Sequence, residues 1–146
     1  MTIGSQPNSV SERVDLRRLL WLGPLVIVAA LAANAIVRAV ALAVLDVPAT
    51  FTPLASPSFI SLTIIGVLGA VIVFAVVGAR AKQPISTFRK IAVGALLVSC
   101  LPDIGLLFGG GGMPAAALSN VLALMLMHTA AYAISVGLLT TLARRR

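Results

Sequence analysis

Five polar side chains stand inside long apolar stretches of this sequence, and they are its best candidates for chemistry. They are Asn34, Arg38, Asp103, His128 and Tyr132. A charged side chain at the centre of a bilayer costs about 2.5 to 3.5 kcal/mol on insertion scales, so such groups face the protein interior and pair. Arg38 and Asp103 carry opposite charges, and we expect an ion pair between them, with Asn34 and His128 in a second polar layer beneath it.

The other reactive residues are too few or too badly spaced for a catalytic, haem or metal centre. Ser119 and Ser135 lie too far along the chain from His128 for either hydroxyl to reach the ring on one helix. The sequence has one His and one Cys, so bis-histidine haem ligation, an intrachain disulfide and a cysteine-based zinc site are excluded within one chain. We therefore predict no catalytic residue, no metal and no cofactor, and the sequence favours a protein that is not an enzyme.

Composition indicates that the solvent of this chain is a lipid bilayer. Hydrophobic residues make up 60% of its 146 residues and charged residues only 10%, and the mean hydropathy is +1.09. A soluble domain of this length has too small a core to hide so much apolar surface. The net charge of +7 does not indicate nucleic-acid binding, because ten of the eleven Lys and Arg residues flank apolar blocks without interleaved aromatic residues. Membrane lipids are the predicted partners, and nucleic acid is not.

Four apolar blocks predict four membrane spans. We place them at about residues 19–45, 58–79, 91–108 and 117–142, after a cytoplasmic tail and short surface helix at residues 1–18. The tail contains a predicted capping box, Ser9 to Glu12. Ala33-Asn34-Ala35 has the pattern of a signal-peptide cleavage site, but the apolar block continues beyond it, which favours an uncleaved helix.

Small and hydroxyl residues predict how these helices begin and pack. Ser56 and Pro57 suit the N-cap and first position of the second helix, and Ser86 is a plausible cap for the third. Gly66 and Ala70 form a small-xxx-small pair, which predicts a close approach of another helix at this point.

The positive charges predict the orientation. Basic residues cluster before the first span, between the second and third spans and after the fourth, whereas the other two connections carry no Lys or Arg. By the positive-inside rule the basic sides are cytoplasmic. The predicted fold is therefore an all-α, four-helix transmembrane bundle of up-down-up-down topology, with the N- and C-termini cytoplasmic.

Short motifs along the whole chain resemble a known family. The motifs are Arg17 to Leu25 (RRLLWLGPL), Asn34, Phe51 to Leu54 (FTPL), Phe88 to Ala92 (FRKIA), Leu101 to Ile104 (LPDI) and Met127-His128. In this order they resemble the uncharacterised bacterial membrane proteins grouped as domain of unknown function 6069. The resemblance implies four helices and a multi-pass protein of the bacterial plasma (inner) membrane, and it implies no activity.

Three functional hypotheses follow. The leading one is a non-enzymatic integral membrane protein whose intramembrane polar cluster ties the bundle together and offers a site for a small ligand, an ion or a lipid headgroup. The alternative is a small proton-coupled transporter or accessory membrane subunit that acts as a homo-oligomer, because four helices are few for a transport path. The third is an intramembrane redox enzyme. Whether the polar cluster is a structural tie or a functional site stays open at this stage.

Overall fold

The computed structural model describes residues 14–45, 47–48, 50–112 and 114–144, and over these ranges the protein is a bundle of helices. The four long helices are α1 (Leu19–Val44), α2 (Ser56–Arg80), α3 (Pro84–Leu106) and α4 (Leu118–Leu142). Each is long and apolar enough to cross a membrane. This confirms the predicted all-α fold with four candidate spans. The predicted capping box at Ser9 to Glu12 lies outside the described residues.

The third helix begins earlier than its apolar block. Pro84 occupies the first helical position after the N-cap Gln83, so the predicted cap Ser86 lies inside the helix. Arg89 and Lys90 are therefore exposed helical residues at the end of the span. The second helix has the same kind of offset, because its N-cap is Ala55, not Ser56. Hydropathy marks the hydrocarbon limits of a span, whereas the backbone hydrogen bonds at its ends decide where the helix starts.

The helices form a ring in which each contacts its two neighbours, and α2 also approaches α4 across the centre. The most extensive contact joins α1 and α4, and the least extensive contact between neighbours joins α2 and α3. A termini-side core surrounds Phe74 and Phe88, whose rings meet edge to face at 4.8 Å between centroids. A second core, which we call the loop-side core, lies near the end of the bundle where α1 connects to α2 and includes Ala41, Leu54 and Met127. The helix contacts are thus most extensive between α1 and α4 and least extensive, among neighbours, between α2 and α3.

The two ends of the described chain meet at one end of the bundle. The Asp15 backbone N–H donates to the Ala143 carbonyl at 2.9 Å. The Arg18 guanidinium donates to the carbonyls of Leu142 at 3.1 Å and Arg144 at 3.4 Å. A cation here satisfies free carbonyls at the C-terminal end of α4 and complements its dipole. The predicted surface helix is a single 3-10 turn, Leu16–Arg18, capped by the Asp15 side chain.

The outer surface of the bundle is apolar. Large hydrophobic side chains on all four helices are strongly exposed, among them Leu20, Val44, Ile65, Leu97 and Leu118. An α-helix pairs its backbone groups within one segment, which is the condition for a segment to sit in hydrocarbon. The surface is therefore compatible with an integral membrane protein surrounded by lipid.

Candidate functional site

A groove of about 780 Å³ runs between α2 and α3, where the ring of helices is loosest. Its floor is formed by α4, and α1 contributes Asn34. Lining residues extend from Pro53 and Gly111 at the loop side to Phe88 and Val136 toward the termini-side core. The groove therefore follows much of the length of the candidate spans.

Small residues keep the groove open. The walls include Gly66 and Gly69 of α2 and Ala92 and Ala95 of α3. A Cβ atom added at Gly66 or Gly69 would meet no heavy atom of the rest of the protein within 4 Å. The predicted close helix approach at Gly66 is therefore wrong, because these small residues border open space. A closer approach occurs at Gly23 of α1, where an added Cβ would lie 3.7 Å from Val71 Cγ1 of α2.

Seven side chains in the groove carry polar atoms, and the rest of the lining is apolar. We call the seven the groove polar residues: Asn34, Thr63, Ser99, Asp103, His128, Tyr132 and Ser135. They come from all four helices. A mostly apolar cavity with a few convergent polar groups is the usual form of a small-molecule site.

Asp103 and His128 are in contact within the groove. His128 Nε2 lies 3.1 Å from Asp103 Oδ2, and the side chains are 39% and 9% exposed, respectively. Oδ2 is a buried atom, and apart from this contact with His128 it receives no hydrogen bond from the described residues. The pair is an electrostatic contact when the ring is protonated, and it leaves the carboxylate able to accept a donor from elsewhere.

Asn34 joins α1 to α2 through a residue that the sequence analysis missed. Its Nδ2 donates to Thr63 Oγ1 at 2.9 Å, and both residues are buried. The other amide atom, Asn34 Oδ1, is buried without a hydrogen-bond partner. A hydroxyl residue inside an uncharged span was the available signal for Thr63, since such groups often bond across helices.

Arg38 has a different environment from the one predicted. Its Nε donates to the Leu54 carbonyl at 2.7 Å, and its guanidinium carbon lies 5.7 Å from the centre of the Phe59 ring. The ion pairs of the described residues are Arg18–Asp15 and His128–Asp103. The predicted Arg38–Asp103 ion pair is therefore wrong. The turn Thr52–Leu54 brings a carbonyl to Arg38, and a cation over an aromatic face gains a further attraction.

The structure brings four of the five predicted residues to one groove. Asn34, Asp103, His128 and Tyr132 line it, whereas Arg38 does not. His128, not Arg38, is the partner of Asp103. The assignment of these four residues to a ligand site stays a prediction, but all four line the same groove.

The described residues show neither a cluster of metal ligands nor a hydrogen bond between Ser99 and His128. No three His, Cys, Asp or Glu side chains in the described ranges come close enough to hold a metal ion. The Ser99 hydroxyl donates to the Leu96 carbonyl of its own helix at 2.8 Å, so it is not paired with His128 as a nucleophile would be. Two buried oxygen atoms without donors remain, which suits recognition of a polar group on an otherwise apolar molecule.

Comparisons with protein-family models, with curated proteins and with solved structures find no match to this chain. Membership of the family that the motifs resemble therefore stays a prediction.

Proposed function

We propose that this is a non-enzymatic membrane protein that binds an elongated, mostly apolar small molecule in the groove between α2 and α3. The groove polar residues hold the polar part of the ligand and also tie the helices together. The observation that carries the proposal is the open groove itself, with glycines on its wall and buried acceptors without donors in its lining.

A purely structural role accounts less well for these features. Structural polar ties in membrane proteins satisfy one another across closely packed helices. The Asn34–Thr63 hydrogen bond does so in part. However, Asp103 Oδ2 and Asn34 Oδ1 are left without hydrogen-bond partners beside a cavity of about 780 Å³. An unsatisfied buried acceptor costs about 1–3 kcal/mol, which a bound donor would recover.

The test is to fill the groove without disturbing the protein. A Gly66→Leu side chain would extend into the groove and meet no protein atom near its Cβ. The matched control is Gly94→Leu on α3, where an added Cβ also meets nothing but the residue lies outside the groove lining. Both substitutions replace a helical glycine, so both gain about the same helix propensity.

The measurement is native mass spectrometry of protein extracted together with its lipids. We expect a reproducible small-molecule adduct on the parent protein and on Gly94→Leu, and its loss from Gly66→Leu. Equal adducts on the two variants would contradict the proposal, because the filled groove would then not be the binding site.

The membrane placement is part of the same proposal. The basic residues Arg80, Lys82, Arg89 and Lys90 are exposed around the connection between α2 and α3. The positive-inside rule then puts this connection and both termini in the cytoplasm. The resemblance noted above supports a bacterial plasma membrane as the host.

A second candidate function is favoured by the Asp103–His128 contact. A carboxyl group and an imidazole ring lie 3.1 Å apart in one groove, and side chains of these types form proton relays in pumps and transporters. One bundle of four helices is small for a transport path, so this candidate needs a homo-oligomer. Chemical crosslinking in native membranes should then trap dimers or larger assemblies, and a result of monomers alone would remove this candidate.

A further inference from the structure

We infer that the groove selects an amphipathic amine: a molecule with an apolar chain and a positively charged nitrogen that carries N–H donors. The inference rests on the proposed groove site and adds the chemical class of its ligand. It depends on three features of the described residues, namely the type of unsatisfied atom, the fixed charges in the lining and the apolar walls.

Both unsatisfied atoms are acceptors. They are Asp103 Oδ2 and Asn34 Oδ1, and Asn34 and Asp103 are only 3% and 6% exposed. A carboxylate in its ionised form accepts hydrogen bonds and donates none. Asp103 carries most of the argument, because both of its polar atoms are oxygens, whereas rotation of the Asn34 amide would exchange its oxygen and nitrogen. A ligand that supplies N–H or O–H donors fits this site, and one that offers only acceptors does not.

The fixed charge in the groove is negative. Asp103 is the only Asp, Glu, Lys or Arg residue among the described residues of the lining. Arg38 is held at the Leu54 carbonyl, outside the lining. An anionic group such as a phosphate would therefore face a carboxylate that has only His128 beside it as a source of positive charge in the described lining, whereas a cation would meet an opposite charge.

His128 extends the fit to an ammonium group. In the neutral ring, with the tautomer that leaves Nε2 unprotonated, this nitrogen is a second acceptor 3.1 Å from Asp103 Oδ2. An ammonium has three N–H donors and can donate to both atoms, whereas a hydroxyl has one donor. The aromatic ring of Tyr132 also lines the groove and can contact a cation by its face.

The walls suit an apolar chain. Beside the polar residues and toward the termini-side core, the lining consists mainly of apolar side chains such as Leu62, Val67, Val73, Leu96 and Val136. A volume of about 780 Å³ lies in the range of about 300–1,000 Å³ that is usual for small-molecule sites. An amine with a single alkyl chain would thus place its nitrogen at Asp103 and its chain along the groove.

The experiment compares three probes that share one chain. Full-length protein in lipid nanodiscs is titrated with dodecylammonium, with dodecyltrimethylammonium (the same charge without N–H donors) and with dodecanol (a neutral donor). We expect dodecylammonium to bind at least tenfold more tightly than either of the others. This comparison needs no variant, so it stands even if a substitution at Asp103 impairs folding. Dodecanol binding as tightly as dodecylammonium would overturn the inference.

Variants test whether the preference for dodecylammonium depends on the Asp103 carboxylate. Asp103→Asn keeps the shape and removes the charge, so it should weaken dodecylammonium binding about tenfold and leave dodecanol binding within about twofold. The control Asp15→Asn removes a carboxylate outside the groove and should change neither. An unchanged dodecylammonium affinity in Asp103→Asn would overturn the inference. If Gly66→Leu also leaves the binding of every probe unchanged, the groove site itself fails, so the two failures can be told apart.

Discussion

Arg38 is a charged residue in an apolar helix, and neighbouring groups reduce the free-energy cost of placing its charge there. Its guanidinium satisfies a loop carbonyl and lies over an aromatic ring, and the residue is only partly buried. Asp103 is buried more deeply, and its ion-pairing partner among the described residues is the partly exposed His128. Local compensation explains why these opposite charges need not meet. Two lone opposite charges in apolar segments are therefore weak support for an ion pair, because backbone carbonyls and aromatic rings can stabilise a charge instead.

Double-mutant cycles can test this arrangement of charges. We expect the effects of Arg38→Met and Asp103→Asn on the free energy of unfolding to add within about 0.5 kcal/mol, because the residues do not share a partner. Asp103→Asn and His128→Asn should instead be coupled by about 0.5–3 kcal/mol. The measurement is reversible unfolding in mixed micelles. A larger coupling for the Arg38 cycle than for the His128 cycle would contradict the structure.

The Asn34–Thr63 hydrogen bond gives a second prediction. Thr63→Val removes the acceptor without changing the shape of the side chain, so the mutant should lose about 0.6 to 2 kcal/mol, as expected for a hydrogen bond between membrane helices. The matched control is Thr129→Val, since the exposed Thr129 hydroxyl bonds only to the Met125 carbonyl of its own helix. Equal unfolding free energies for the two variants would show that Asn34 has no tie to α2.

At the scale of helices, the sequence predicted which segments span but not which faces meet. Apolar length alone predicts four candidate spans, and the four helices are each long and apolar enough to cross a membrane. The rotation of each helix depends on packing that a single sequence does not reveal. A helix contact was therefore predicted at Gly66, but this residue borders the groove. Thr63 was missed, although its hydrogen-bond partner Asn34 was identified. Asn34, Asp103, His128 and Tyr132 could be found because each is costly in hydrocarbon unless it faces the interior.

The glycine-rich connection after α3 gives a prediction at this scale. A Cβ atom on Gly110 would lie 2.8 Å from the Gly105 carbonyl oxygen, which is too close for an atom held by the backbone. Gly110→Ala should therefore lower stability by about 1–3 kcal/mol, the usual cost of overpacking. Gly105→Ala is the control, because its Cβ would meet nothing within 4 Å. Thermal unfolding should show a lower Tm for Gly110→Ala only, and equal Tm values would contradict the described turn.

For the whole molecule, the ring of helices is closed where α1 meets α4 and open where α2 faces α3. The α1–α4 side is reinforced where the chain ends meet, through the Asp15 and Arg18 hydrogen bonds to the end of α4. The opposite side has a groove bordered by small residues. This asymmetry could not be read from composition, because all four apolar blocks have the same general character. The open side between α2 and α3 is the feature that makes the bundle a candidate binding protein.

The orientation in the membrane is also a property of the whole molecule. In a background where Cys100, the only cysteine, is replaced by Ala, Thr50→Cys and Lys82→Cys place single thiols at exposed positions in the connections before and after α2. A membrane-impermeant maleimide added to intact cells should label Thr50→Cys and should not label Lys82→Cys before lysis. The reverse pattern would show that the basic connection is outside and the predicted orientation is wrong.

The central claim is that the space between α2 and α3 holds a ligand. The most direct measurement is an experimental density map of the full-length protein in native lipid nanodiscs. We predict an elongated non-protein density that runs along the groove and reaches the Asp103 carboxylate. A map in which α2 and α3 close on each other, with no space beside Gly66 and Gly69, would contradict the account.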